Sequence, residues 1–268
     1  MASSLDPTKV AECPLCLDII TPPVSQCDVG HSMCKKCFQQ SKQSHCPICL
    51  QPMTNRRHVA FEQLLESLRD KLEITCRYSS NGCKYQITPE TKETHERDCR
   101  HRTFKCEGNL FADWKCNWTG RYEDLENHFK REHKNHTVMQ YRTEATLKIN
   151  FQRDFKDIQL ISFFNGQAYF YYKHRVNVQK QKVYWAFQYI GLKSNAEHFF
   201  YEFEIHNGPI RKFKVTEICT NDTVRVEDTF ELEKCVVMSF ASLRNYLDAE
   251  GELSFRFRII KYKPNHVS

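Results

Sequence analysis

The stretch Cys13 to Cys49, CPLCLDIITPPVSQCDVGHSMCKKCFQQSKQSHCPIC, decides how this chain is read. Its chemistry-bearing residues recur as Cys13-x2-Cys16-x10-Cys27-x3-His31-x2-Cys34-x2-Cys37-x8-Cys46-x2-Cys49. A Cys-x2-Cys pair sets two thiolates on one tight turn, both directed at the same tetrahedral ion. Three such pairs, with Cys27 and His31, make two complete four-ligand sets of the kind zinc prefers in closed structural sites. Disulfides or free core thiols are the bland alternative, and the ligand count and spacing argue against both.

A chain of 268 residues is long enough for two or three compact units, one of them able to build a real core. Fourteen cysteines would ordinarily suggest a secreted disulfide scaffold. The opening MASSLDPTKVAE, however, lacks the apolar core of a signal peptide, and no apolar run approaches the roughly 20 residues that span a bilayer. Reduced cysteines holding metal in the cytosol or nucleus is the account the composition favours. The net charge of +6 is modest and the two signs are interspersed, which is a poor argument for nucleic acid.

After Cys49, the segment VAFEQLLESLRDKLEI (59–74) carries Phe61, Leu64, Leu65, Leu68 and Leu72 at three- and four-residue steps. That spacing predicts a helix with one apolar face, packed on a neighbouring module. Two further ligand runs follow. One is Cys76-x6-Cys83-x11-His95-x3-Cys99 and the next is Cys106-x9-Cys116-x11-His128-x4-His133. Both place two cysteines on a turn, then a ligand pair about one helical turn apart, as chelation from one helix face requires. The gaps between the cysteines exceed those of DNA-reading fingers, so a base-reading helix transfers poorly. His136 could stand in for His133, but the shorter spacing fits better. His45, His58 and His101 are expected to be surface residues, because the four-ligand sets are full without them. Twelve cysteines and four histidines supply four zincs, leaving Cys219 and Cys235 as buried free thiols in apolar surroundings.

From about Val138 the cysteines almost stop and aromatic, β-branched segments take over. Strands are expected at 147–151, 158–164, 168–173, 183–191, 199–205, 210–215, 224–230, 235–240 and 253–262. Several alternate apolar with polar residues, and Asn-Gly, Gly-Pro, Asn-Asp and Glu-Gly turns divide them. The pattern predicts an antiparallel sandwich with a Phe/Tyr core, and ASLRNYLDAEG one helical turn before the last strand. The fold class expected is multidomain α+β: a tail (1–12), a zinc module (13–50), a linker helix (51–73), paired fingers (74–136) and a sandwich (138–268).

The C3HC4 order of the first module resembles a RING domain, whose cross-brace interleaves its ligands. That resemblance implies Cys13, Cys16, Cys34 and Cys37 on one zinc, and Cys27, His31, Cys46 and Cys49 on the other. The succession of RING, short helix and paired fingers is similar to the seven-in-absentia family of ubiquitin ligases. Local wording agrees, in VAFEQL (Val59–Leu64) and CRYSSNGC (Cys76–Cys83). IGLKSNAEHFFYEFEI and CVVMSFASLRNYLDAEGELSFRFRI resemble the family's TRAF-like domain, which binds substrate and dimerises.

The resemblance implies a RING-type E3 that binds a ubiquitin-charged E2 through the RING and a protein substrate through the sandwich, directing ubiquitination and proteasomal degradation. By position Leu15, Pro47, Ile48 and Leu50 would face the E2. Two departures stand out. Many active RINGs carry after the last ligand an arginine that bridges E2 and ubiquitin, and here that residue is Leu50, which has no side-chain donor. The family's degron-binding edge carries a tryptophan near the strand matched by IQLISFF, whereas this chain has none between Trp118 and Trp185. Strand addition at an open edge would still work without it. A catalytically weak adaptor paired with an active relative is the alternative; a nucleic-acid-binding zinc protein is the third reading.

Overall fold

The computed structural model describes residues 7–41, 44–134, 136, 139–163 and 165–262. Expectations for residues 1–6, Phe164 and 263–268 lie outside the described residues. The chain divides into two compact units, Met1–Glu96 and Arg97–Ser268.

The first unit opens with a short helix α1 (Pro7–Val10). A three-stranded antiparallel sheet follows, from β1 (Val24–Cys27), β2 (Ser32–Cys34) and β3 (Met53–Arg57), in the order β2-β1-β3. Helix α2 (Lys35–Ser41) follows β2, and α3 (Val59–Leu68) follows β3. Most of the apolar face of α3 packs as its spacing predicts, but Leu64, expected on that face, is exposed. Leu65 and Leu72 are buried with Cys13, Cys27, Cys34 and Cys46, and Phe61 and Leu68 press on the same cluster. Glu62, buried on that face, accepts the Val24 N–H at 2.7 Å and two hydrogen bonds from Arg57, which hold its carboxyl below the usual range. The helix stops short of the expected Ile74. The N–H groups of Lys71 and Leu72 turn back onto the Leu68 carbonyl at 2.8 and 3.0 Å, so Leu72 reaches the core from a turn.

The first finger is a small hairpin, β4 (Ile74–Thr75) with β5 (Gln86–Ile87), followed by α4 (Lys92–Asp98). Lys92 forms an ion pair with Asp18 of the first unit's opening ligand loop.

In the second unit the second finger repeats this plan. It comprises β6 (Phe104–Lys105), α5 (Glu107–Phe111), β7 (Thr119–Gly120) and α6 (Leu125–Glu132). The sandwich follows with β8 (Met139–Gln140), β9 (Arg142–Lys148), β10 (Phe155–Phe163), β11 (Ala168–Asn177) and β12 (Lys182–Tyr189). Next come α7 (Lys193–Ala196), β13 (Phe199–Asn207), β14 (Arg211–Ile218), β15 (Thr220–Asn221) and α8 (Val226–Glu231). The chain ends in β16 (Val236–Ser239), α9 (Phe240–Leu243) and β17 (Glu252–Lys261). One sheet runs β15-β12-β11-β10-β8 with β16 also on β12; the other runs β14-β13-β17-β9.

Between the sheets lies an aromatic core. Phe187 meets Tyr201 at 4.2 Å between ring centroids, Trp185 meets Phe203 at 5.4 Å, and Tyr172 stacks parallel to Phe255. β13 and β17 of the second sheet alternate buried with half-buried or exposed residues, as a half-buried sheet should. Its outer face is a charge ladder in which Glu202 pairs with Arg258 and Lys214, and Glu204 with Arg256 and Lys212.

The first sheet behaves differently. β11 is buried at nine of its ten positions, because its outer face is covered too. Phe111, Tyr122, Leu125 and Phe129 of the second finger form one cluster there with Ile158, Leu160, Tyr171 and Tyr184. Lys173 is carried into this seam with 2% of its side chain exposed. It donates to Glu107 at 2.5 Å and to Gln188 at 2.6 Å.

One expectation is corrected. Residues 224–230 were expected to be a strand, but Val226–Glu231 form α8. Val226 and Phe230 are buried four residues apart, a helical repeat, and Glu227 and Asp228 lie in the first turn, where the helix dipole favours acid. The strand expected at 147–151 is β9, shifted earlier to Arg142–Lys148.

Candidate metal centres

Two of the Cys-x2-Cys gaps in the first module, Cys13–Cys16 and Cys46–Cys49, fold as knuckles that are copies of one another, whereas Cys34–Cys37 spans the end of β2 and the first turn of α2. The Leu17 N–H donates to the Cys13 carbonyl at 2.8 Å, and the Leu50 N–H to the Cys46 carbonyl at 2.9 Å. The Cys13 N–H donates to Asp18 and the Cys46 N–H to Gln51, at 2.6 and 2.8 Å. In both, the residue after the second cysteine has φ of 59°. The turn that brings two sulfurs together thus requires a left-handed residue, and leucine occupies it twice at a steric cost.

These turns gather the ligands. Cys13, Cys16, Cys34 and Cys37 form one group and Cys27, His31, Cys46 and Cys49 another, each with donor atoms within 4.8 Å of one another. The sets interleave along the chain, as the RING resemblance implies. The fingers supply Cys76, Cys83, His95 and Cys99, and Cys106, Cys116, His128 and His133, within the same limit.

The donor spacing tests whether zinc fits. Zn–S of about 2.3 Å and Zn–N of about 2.0 Å at tetrahedral angles separate ligand atoms by about 3.4–3.8 Å. Cys27 Sγ lies 3.5 Å from His31 Nδ1 and 3.7 Å from Cys49 Sγ. In the fingers, Cys83 Sγ to His95 Nε2 is 3.4 Å, Cys106 Sγ to His133 Nε2 is 3.4 Å, and Cys116 Sγ to His128 Nε2 is 3.8 Å. A disulfide would bring sulfurs to about 2.05 Å, so the Cys27–Cys49 distance excludes one there. The residues fit four zinc ions.

Electrostatics agree with ligation. Burial opposes charge on Cys27, but the backbone N–H groups of His31 and Val29 outweigh it and bring that thiol down to about 6. Burial, with His133 nearby, lowers His128 to about 4, which keeps the imidazole neutral and able to coordinate. Trp118 stacks on His128 at 4.1 Å and 5°, fixing the ring plane. In the first finger the x6 gap closes through a turn at Ser79–Asn81 and Gly82, whose φ of 104° explains the glycine in CRYSSNGC.

The other histidines fall outside these sets. His136 is not a ligand; its Nδ1 pairs with Asp157 at 2.7 Å. His58 bonds Ser32 at 2.8 Å, and His45 is exposed. Cys219 and Cys235 are free and buried, and burial raises both thiols.

Of the residues expected to face an E2, Pro47, Ile48 and Leu50 are exposed, Leu50 at 75%. Leu15 is half-buried against the zinc-loop core. Sequence reasoning missed Leu17, which is 71% exposed and is the counterpart of Leu50 on the first knuckle. Its position directly after a Cys-x2-Cys pair was the available signal.

Comparison with known proteins gives three family matches. Residues 13–49 match the RING finger of E3 ubiquitin-protein ligase sina/sinah, residues 67–147 the Sina zinc finger, and residues 161–257 the Sina TRAF-like domain. The chain is 27% identical over 267 residues to E3 ubiquitin-protein ligase sina of Schistosoma mansoni, covering 98% of this chain and 69% of that protein. It is 30% identical over 205 residues to probable E3 ubiquitin-protein ligase sinah of Drosophila melanogaster, covering 75% and 56%. For sina of Drosophila virilis the figures are 29% over 219 residues, 78% and 64%. The chain therefore spans between 56% and 69% of the length of these relatives. With its RING, zinc-finger and TRAF-like matches in the order of its four ligand sets and sandwich, the chain belongs to the Sina family.

Proposed function

We propose that this chain is a RING-type E3 ubiquitin ligase, binding a ubiquitin-charged E2 through its RING and a protein substrate through its sandwich. The observation that carries the reading is the pair of closed, interleaved ligand sets with exposed apolar residues on the knuckles. Thiolates committed to zinc are not nucleophiles, so the RING is a rigid platform. Its contribution is proximity: holding the E2 thioester beside a substrate lysine makes the encounter effectively unimolecular. Leu15, Pro47, Ile48 and Leu50 are the proposed E2 contacts. The products are ubiquitinated substrates destined for the proteasome, in cytoplasm or nucleus, and the sandwich also supports a homo- or heterodimer.

Leu50 motivates a second reading. An apolar side chain can help dock an E2 but gives no hydrogen bonds to hold its ubiquitin in a reactive pose. On that reading the chain is a weak ligase that tunes an active relative. Discharge of ubiquitin from a charged E2 onto free lysine decides. The ligase reading expects stimulation by the wild type, lost in Leu15→Ala. Discharge no faster than E2 alone, restored by Leu50→Arg, establishes the adaptor instead.

A further inference from the structure

The first finger is tied to the first knuckle of the RING by a chain of charges. Asp18 follows Leu17 at the end of that knuckle, where its carbonyl accepts the Cys13 N–H at 2.6 Å. Its carboxylate pairs with Lys92 in the first turn of α4, a side chain only 19% exposed. Lys92 also lies 4.0 Å from Glu96, one turn on. Glu96 is buried and accepts the backbone N–H of Arg77 at 2.8 Å and its Nε–H at 2.7 Å. Arg77 directly follows the ligand Cys76. Asp18, Lys92, Glu96 and Arg77 thus alternate in sign from a ligand turn of the RING to a ligand turn of the finger. With its two middle members withdrawn from water, this chain is screened less than an ordinary surface ion pair.

Two large side chains lie exposed at this junction. Leu17 is in water and holds a left-handed backbone that asparagine or glycine would adopt more readily, so folding gains nothing from leucine there. On the finger side Tyr85 is 56% exposed, and its ring rests 5.4 Å from that of His95. His95 stands three residues on from Lys92, on the same side of α4. The path from Leu17 through Asp18, Lys92 and His95 to Tyr85 is therefore continuous within the first compact unit. It is continuous also with Leu15, a proposed E2 contact two residues before Leu17 on the same knuckle. A plain brace between modules accounts for Asp18 and Lys92. It does not account for a strained, solvated leucine beside an exposed aromatic ring.

We infer that the E2 docking surface extends beyond the RING onto the first zinc finger, with Leu17 and Tyr85 as contacts and the Asp18–Lys92 pair holding the two parts in register. The occupant is the body of the E2, because the surface continues from Leu15. The ubiquitin that the E2 carries is the other occupant the experiment tests. The finger adds residence of the E2 on a platform whose Leu50 cannot supply hydrogen bonds to ubiquitin. The inference rests on the reading of the RING as the E2-binding module and adds to it a contact supplied by another module.

The probes are a panel of recombinant ubiquitin-conjugating enzymes without ubiquitin, titrated by biolayer interferometry onto the full zinc-loaded chain, the tightest binder being carried forward. Tyr85→Ala and Leu17→Asn should each weaken that binding roughly fivefold, as loss of one well-placed apolar contact does. Both should keep four zincs and the wild-type Tm, since Tyr85 is exposed and asparagine suits the left-handed backbone. Lys92→Met should weaken binding too, and in that background Tyr85→Ala should cost nothing further, because the finger is no longer held in register. Full additivity of Lys92→Met and Tyr85→Ala overturns the register role of the ion pair. Unchanged affinity in Tyr85→Ala and Leu17→Asn, with binding lost in Leu15→Ala, overturns the inference and leaves the ligase reading standing. Unchanged affinity for the bare E2 with slower discharge of the charged one also overturns it, by moving the contact to ubiquitin. Failure of every enzyme in the panel to bind the wild type refutes the E2-binding reading itself, and the inference with it.

Discussion

Replacing Lys173 by methionine tests how the second finger is held to the sandwich. The Lys173 ammonium is 2% exposed, and its partner Glu107, next to the ligand Cys106, is 19% exposed. At 2.5 Å and an effective dielectric of about 20, their attraction is about 6–7 kcal/mol. Desolvating two ions costs several kcal/mol each, so the intact pair is worth little net. Removing one partner is another matter. Lys173→Met leaves the Glu107 carboxylate in an apolar seam and the Gln188 oxygen without its donor, a loss of about 3–5 kcal/mol. For a unit of this size that lowers Tm by about 10 °C or more. The double variant Lys173→Met/Glu107→Leu removes both charges and should keep only the cost of the unpaired Gln188 oxygen, about 1–3 kcal/mol. Calorimetry and urea titration of the zinc-loaded chain measure both. If the losses of the single variants simply add in the double, the pair is not coupled and the reasoning fails.

Metal analysis should return four zincs per chain, and two would break the assignment of the finger sets. Cys46→Ser should unfold the RING locally while leaving the near-ultraviolet circular dichroism of the aromatic sandwich in place, because structural zinc supplies much of the folding free energy of so small a module. His133→Ala should cost one zinc and His136→Ala none; equal losses would mean the ligand has been misplaced. Phe129→Ala, in the finger–sandwich seam, should destabilise the second unit by about 3–5 kcal/mol in chemical denaturation, and a loss under 1 kcal/mol would show the seam to be loose.

The parts of this protein legible in sequence are those whose cause is local. A tetrahedral ion needs ligands at the end of a tight turn or one helical turn apart, so all sixteen donors could be named from spacing, and all sixteen assemble. Strands such as β13 and β17 show in their alternation because only one face is buried. β11 reads as an ordinary aromatic strand; that both its faces are covered depends on Phe111 and Phe129, some 40 residues or more away in sequence. For the same reason nothing marked Lys173 as buried, since its partners come from another module and another strand. The segment 224–230 was misjudged because Val224, Val226 and Phe230 suit a strand's composition, while the four-residue step between the last two is what governs.

The seam also sets an order of events during synthesis. The finger's apolar face, ending at Phe129, leaves the ribosome about 60 residues ahead of Tyr189, where β12 completes the three long strands of the sheet that covers it. At about 5–20 residues per second that is a delay of roughly 3–12 seconds. During that interval Phe111, Leu125 and Phe129 have no sheet to rest on. Zinc captured by Cys106, Cys116, His128 and His133 would hold the nascent finger in shape meanwhile. A cell short of zinc would then lose this protein at birth, through aggregation on the ribosome, more than by melting of finished molecules.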